Sequence, residues 1–180
     1  MADQKLLESI FLKYGLEDFR WICPGEIIVG QWVRFKCMFG CPEYGKNGCC
    51  PPDNVPSVAQ CRAFVQEYGE GVIFHMAKHV DKPEDREAWS RKIHKKLSEM
   101  EREVFLSGYH KVFVLPIDNC LLCRECNKDR KQCVNPRTAR PTAEALGIDV
   151  YATVRQYGFP IDVLPDYSQT MNRYAFLLVE

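Results

Sequence analysis

The chain has 180 residues, 46% of them hydrophobic and 27% charged, with 24 basic residues balancing 24 acidic ones. That length suits one compact domain, residues 1–180, with enough core to fold without covalent staples, and zero net charge exerts no pull towards nucleic acid or a membrane surface. No apolar run approaches the roughly 18 residues of a membrane span, and Met1–Ser9 has no secretory core, so a cytoplasmic location is expected.

Gln4 to Leu16 carries Leu6, Ile10, Phe11 and Tyr14 at helical spacing, which predicts an amphipathic helix closed near Gly15. Short β-type runs follow at Glu26–Val29 and Trp32–Phe35. Lys36 to Pro56, crowded with Gly, Pro and Cys, reads as a loop organised by something other than backbone ladders. A helix is expected from near Pro56, with Asn54 as its cap and Val58, Phe64 and Val65 on its buried side, ending before Gly69 and Gly71. Val72–Met76 reads as a buried strand.

From Asp85 to Ser107, Trp89, Ile93, Leu97, Met100 and Val104 form a sustained helical stripe with charge on the other faces. Lys111–Pro116 is β-branched and aromatic, hence a strand that leads directly into Cys120. A short helix at Asp149–Gln156 and strands at Ile161–Leu164 and Tyr174–Val179 complete the pattern. Alternating strands and helices argue an α/β or α+β fold, a mixed sheet with flanking helices and cysteine-rich loops at one end.

Ten cysteines are the anomaly. A cytosolic chain of this length has little use for disulfides, and the cysteines fall in two tight groups without an export signal, so metal or redox chemistry is favoured over a secreted disulfide framework. Cys120, Cys123 and Cys126 follow the C-x2-C-x2-C spacing of bacterial ferredoxins, with Cys133 after six further residues. Four thiolates could also hold structural zinc, but zinc ribbons bring two C-x2-C pairs separated by a longer insert. The run departs from the ferredoxin pattern in the six residues before Cys133 and in having Pro136, not the next residue, as its proline. Six cations, Arg124, Lys128, Arg130, Lys131, Arg137 and Arg140, accompany it, suited to an anionic cluster or to an acidic redox partner.

The other group comprises Cys37, Cys41, Cys49 and Cys50, with Cys23 before it and Cys61 after it. Gly40, Gly45 and Gly48 would let backbone N–H groups approach sulfur, and Pro51-Pro52 stiffens the exit. His75 and His79 fall on a run that reads as a strand, which does not bring residues four apart together as a helix would, and with His94 and His110 they are expected at the surface or in caps. No G-x-S-x-G, P-loop or G-x-G-x-x-G motif is present.

The stretches WVRFKCMFGCPEYGKNGCCPP, CLLCRECNKDRKQCVNPRTARPTAEALGIDV and YATVRQYGFPIDVL resemble the prokaryotic family of predicted metal-binding proteins called domain of unknown function 2284, whose members are similar to proteins of anaerobic bacteria and archaea. The resemblance implies metal binding at Cys37, Cys41 and Cys50 in the first group and at Cys120, Cys123, Cys126 and Cys133 in the second. It leaves out Cys23, Cys49 and Cys61, and Leu146 stands where many relatives carry a cysteine. The expectation is one or two [4Fe–4S] clusters in an electron carrier or redox adaptor that docks a redox partner. Its rivals are an enzyme with an open iron site and a structural zinc module. Seven thiols divide between two cubanes only as four and three. Cys133 is expected to fold back on its own run, with the open iron in the first group.

Overall fold

The computed structural model describes residues 2–80, 82–166 and 169–180. Chain order is α1 (Gln4–Lys13), β1 (Phe19–Ile22), α2 (Gln31–Gly40), α3 (Val58–Gln66), β2 (Gly71–Lys78), α4 (Pro83–Leu106), β3 (Phe113–Leu115), α5 (Val150–Gln156) and β4 (Met171–Leu178), with single 3₁₀ turns at Pro24–Glu26, Arg130–Gln132 and Glu144–Leu146. The four strands form one sheet in the order β1-β2-β4-β3. Every pairing is antiparallel, so the sheet is not mixed and the fold is α+β.

The central pair, β2 and β4, aligns Gly71 with Leu178 through to Lys78 with Met171. Alternate residues feed two cores. Val72, Phe74, Ala175 and Leu177 pack with Leu7, Ile10 and Phe11 of α1 and Ile93, Leu97, Met100 and Val104 of α4. Ile73, Tyr174, Phe176 and Leu178 pack on the other face with Val58 and Val65 of α3 and Val150 and Val154 of α5. Because helices or turns cover both faces, Ala175–Val179 is a continuous buried run and not an alternating one.

The helices obey local rules. Asp3 caps α1 by accepting from the Leu6 N–H at 3.1 Å, and Gly15, at φ +62°, ends it in the left-handed conformation. Leu7 takes the buried position expected of Leu6, which is exposed. Asn54 does not cap α3. Ser57 does, in a capping box with Gln60. Asp149 caps α5 through the Ala152 N–H at 3.0 Å.

Three expected strands are absent among the described residues. Glu26 ends a 3₁₀ turn, and beyond it Val29 makes a single bridge to Ile148 outside the sheet. Trp32–Phe35 lies inside α2, whose residues Gln31–Phe39 contain no Gly or Pro and whose aromatic side chains face solvent, so nothing holds them in a ladder. Ile161–Leu164 lies between Pro160 and Pro165, and its carbonyls go to side chains instead: Ile161 O accepts from Arg155 at 2.9 Å and Asp162 O from Tyr151 at 3.4 Å. The strand β1, an aromatic edge of four residues, was not expected.

No described helix is long and apolar enough to cross a membrane. His75 is no surface group: its ring lies 2.6 Å from Asp18 and 2.8 Å from Asn172 and stacks on Tyr174. His94 is buried and bonds the Ile117 carbonyl, holding the chain just before the second cysteine group.

Candidate metal centre

All ten cysteines are free thiols. The segment after β3 is fixed first. Asp118, at φ +52°, is gripped by Arg86, by Arg173 at 3.4 Å and by the Ser90 hydroxyl at 2.5 Å. Burial alone would raise the Asp118 carboxyl, but the hydrogen bond and charge of Arg86, with Ser90 and Arg173, outweigh it and hold the group below the usual carboxylate range. At the far end of the segment, Arg140 pairs with buried Glu101 of α4 at 3.0 Å, and the same Glu101 oxygen accepts from the Val114 N–H of β3 at 2.9 Å.

Between these anchors, Cys120, Cys123, Cys126 and Cys133 line one cavity, together with Gly48 and Cys49 from the first cysteine loop and with Leu122, Asn135 and Ala139. Cys133 therefore turns back towards its own run. The cavity is small, about 10 Å³, room for one water. Among the described residues no three Cys, His, Asp or Glu side chains converge on a single ion-sized position. A larger concavity on the exposed face of α4, lined by Glu84, Glu87 and Arg91 among others, is open along a single helix and holds no cysteine.

The donors around the thiols suit sulfur carrying negative charge. Asn135 Nδ2 donates to Cys123 Sγ at 3.1 Å, and the Gly48 N–H donates to Cys126 Sγ at 3.4 Å. Cys120 is held down to about 6, chiefly because the Cys49 thiol donates to it, with the Leu122 N–H and the Arg130 charge adding to this and burial opposing it. Cys49 correspondingly stays protonated. One buried N–H donor near the sulfurs, Arg130 Nη1, has no partner. An orphaned donor of this kind is expected where an acceptor belongs.

The first group is not built on a loop alone. Cys37 lies in the last turn of α2 and Cys41 is its C-cap, its N–H bonded to Cys37 O at 3.2 Å, so four-residue spacing puts both on one helix face. Arg34 anchors α2 to the carbonyls of Ala145 and Pro56. Cys50 joins them electrostatically: burial pushes its thiol up to about 11, a hydrogen bond from the Asn47 side chain pulls the other way, and Cys41, Cys37 and Cys120 add repulsion. Burial, then Cys41, likewise raises Cys37, while Arg34 lowers it.

One side chain ties the two groups together. Asn54 Nδ2 donates to Asn47 O at 3.3 Å and to Lys128 O at 2.8 Å, and its Oδ1 accepts from the Arg130 N–H at 2.9 Å. Gly48 packs closely on the second segment, where a Cβ would stand 3.4 Å from the Arg130 backbone. Consecutive cysteines differ in their surroundings: Cys49 hydrogen-bonds Cys120, while Cys50 feels the charges of Cys41 and Cys37 before that of Cys120. Cys61 is packed in the core, with its thiol 3.5 Å from Pro56 O, and Cys23 is exposed.

The roles of Cys49, Asn54 and Asn135 were not foreseen. Asparagines two to five residues from paired cysteines are the only signal the sequence holds for them. Of the six expected cations, Arg140 is consumed by Glu101 and Arg130 turns inward, while Arg124, Lys128, Lys131 and Arg137 are exposed.

An α+β scaffold that brings eight thiols from the end of α2, the loop after it and the segment after β3 near one another, with N–H donors on sulfur, has the donor chemistry of a metal-binding protein. Residues 20–179 match the family described as predicted metal-binding protein (DUF2284), and the chain belongs to it. No curated protein and no solved structure matches it.

Proposed function

We propose that the chain carries iron–sulfur clusters, one [4Fe–4S] cluster on Cys37, Cys41 and Cys50 of the first group and a second on Cys120, Cys123, Cys126 and Cys133 of the second group, and that it is a small cytoplasmic electron carrier or redox adaptor of anaerobic metabolism. The observation that carries the reading is the common cavity of the C-x2-C-x2-C run and Cys133, with N–H donors on Cys123 and Cys126. Hydrogen bonds to cluster sulfur and nearby cations set how readily such a cluster accepts an electron. The donor set fits. The cavity those cysteines line, about 10 Å³, is smaller than a cubane.

When bound, the cluster would supply one-electron chemistry that no side chain here can perform. The chain's own residues hold the thiolates, donate to them and set the approach of a partner. Arg124, Lys128, Lys131 and Arg137 form an exposed basic collar on the same segment, which suits an acidic one-electron carrier.

The test is reduction of anaerobically purified protein with dithionite. A brown protein that gains a paramagnetic resonance signal on reduction and loses it on reoxidation is the expected result. A colourless protein with stoichiometric zinc and no signal would replace this reading with the structural zinc module.

A further inference from the structure

We infer that the solvent-facing side of α2 is an interface between two copies of this chain, formed by Trp32, Phe35, Met38 and Phe39. The inference does not depend on what the cysteines hold.

On a helix that turns about 100° per residue, these four side chains fall within an arc of about 120°, the width of the apolar stripe that a helix ordinarily turns towards a core. Here the stripe points outwards. Trp32, Phe35, Met38 and Phe39 are 52%, 54%, 53% and 76% exposed, and Lys36 is the only exposed charged residue of α2. The helix cannot roll to bury them, because its opposite side is pinned by buried Val33 and by Arg34, which donates to the carbonyls of Ala145 and Pro56. The rings already support one another. Phe35 and Phe39, one turn apart, have centroids separated by 6.1 Å, and the Trp32 indole lies back over Gly30, where a Cβ would stand 2.9 Å from its Cδ1. Side chains held in place before contact lose less freedom on making it.

Area and charge select the occupant. Taking about 200 Å² for a whole side chain of this size, the four leave roughly 500 Å² exposed per chain, at the upper end of what a monomer shows in one apolar patch. Two copies face to face would bury about 1,000 Å², the size at which a specific interface begins. The 24 basic residues balance the 24 acidic ones, so no net repulsion keeps two copies apart, and a face with a single lysine selects neither an acidic nor a basic partner. A two-fold axis between Phe35 and Lys36, with the helices antiparallel, sets Trp32 of one copy against Phe39 of the other and Lys36 against the other copy's Phe35. It also opposes the two helix dipoles.

The test is the mass of the full-length chain by light scattering and sedimentation equilibrium, purified without oxygen and kept in reductant so that no disulfide joins copies. The expected result at tens of micromolar is a particle of twice 20.9 kDa. Phe39→Glu and Phe35→Ser should each raise the dimer dissociation constant about 30-fold or more, with far-ultraviolet circular dichroism unchanged, and Phe35→Ser decides should Phe39→Glu fail to fold. Dilution of the wild-type dimer should shift tryptophan emission to the red, and Trp32→Phe should lose that shift. A chain that stays at 20.9 kDa overturns the inference. A dimer that survives both phenylalanine substitutions overturns it too, by placing the contact elsewhere. So does a monomer that floats with phosphatidylcholine–phosphatidylserine vesicles through these same residues, since the face would then belong to lipid.

Discussion

The sheet and the cysteine segments are held together by different forces. Residues such as Phe74, Leu97, Phe176 and Leu177 are fully buried, and the β2–β4 ladder runs through eight paired positions between two apolar cores. Residues 41–57 and 116–142 contain no strand or α-helix, only the 3₁₀ turn Arg130–Gln132, and they contribute few core side chains. What fixes them is a short set of polar clamps, Asn54, Asp118 and Glu101–Arg140, and contacts to sulfur. The sheet half can fold by burial alone. The cysteine half is held by those polar clamps instead.

That contrast can be broken by substitutions that strike one half. The largest effect is expected from Cys123→Ser, which removes the middle thiolate of its run and should abolish the second cluster while leaving far-ultraviolet circular dichroism close to wild type. Full iron retention in that variant would contradict the assignment. Phe176→Ala should do the reverse, lowering stability by about 4 kcal/mol in denaturant unfolding while the folded fraction still binds metal.

Smaller effects sharpen the boundary. Asn54→Ala deletes three hydrogen bonds, two of them between the cysteine loops, and should cost about 2 kcal/mol, with iron loss to a chelator speeding up more than global unfolding does. Equal changes in both rates would mean that the loops and the core unfold as one unit. Burial lowers the His94 pKa from its ordinary value of 6.5, against the Ile117 carbonyl and Asp118, which both raise it. A base with a depressed native pKa is protonated first in the unfolded chain, so stability is full above pH about 6.5 and declines as pH falls below it. This slope should appear in chemical denaturation and vanish in His94→Gln. Cys61→Ala should have the least effect, a modest loss of packing with iron content unchanged.

Much of the first half was legible in the sequence. The stripe Ile93, Leu97, Met100 and Val104 is buried on α4, Val72–Met76 lies in β2, and Tyr174–Leu178 in β4, because burial against a sheet imposes a period on sequence. The second half was legible only as chemistry. The C-x2-C-x2-C run announces its thiols, but nothing local says that Asn54 bridges two loops and not a helix end, or that Cys49 and Cys50 differ in their surroundings. Those facts depend on contacts between residues some 75 positions apart. The helix α2 was misread because its aromatic residues, which suggest a strand, lie on a solvent-facing side, Phe39 being 76% exposed, and only the packing of α2 on the Glu144–Leu146 turn reveals its period.

The central claim is tested most directly by measuring iron, acid-labile sulfide and zinc in protein purified without oxygen, with Mössbauer spectroscopy on the same sample. About eight irons and eight sulfides per chain, in [4Fe–4S] form, is the result expected for two clusters, and about four of each if the second group alone is loaded. Stoichiometric zinc without sulfide, in a colourless protein with its secondary structure intact, would contradict it.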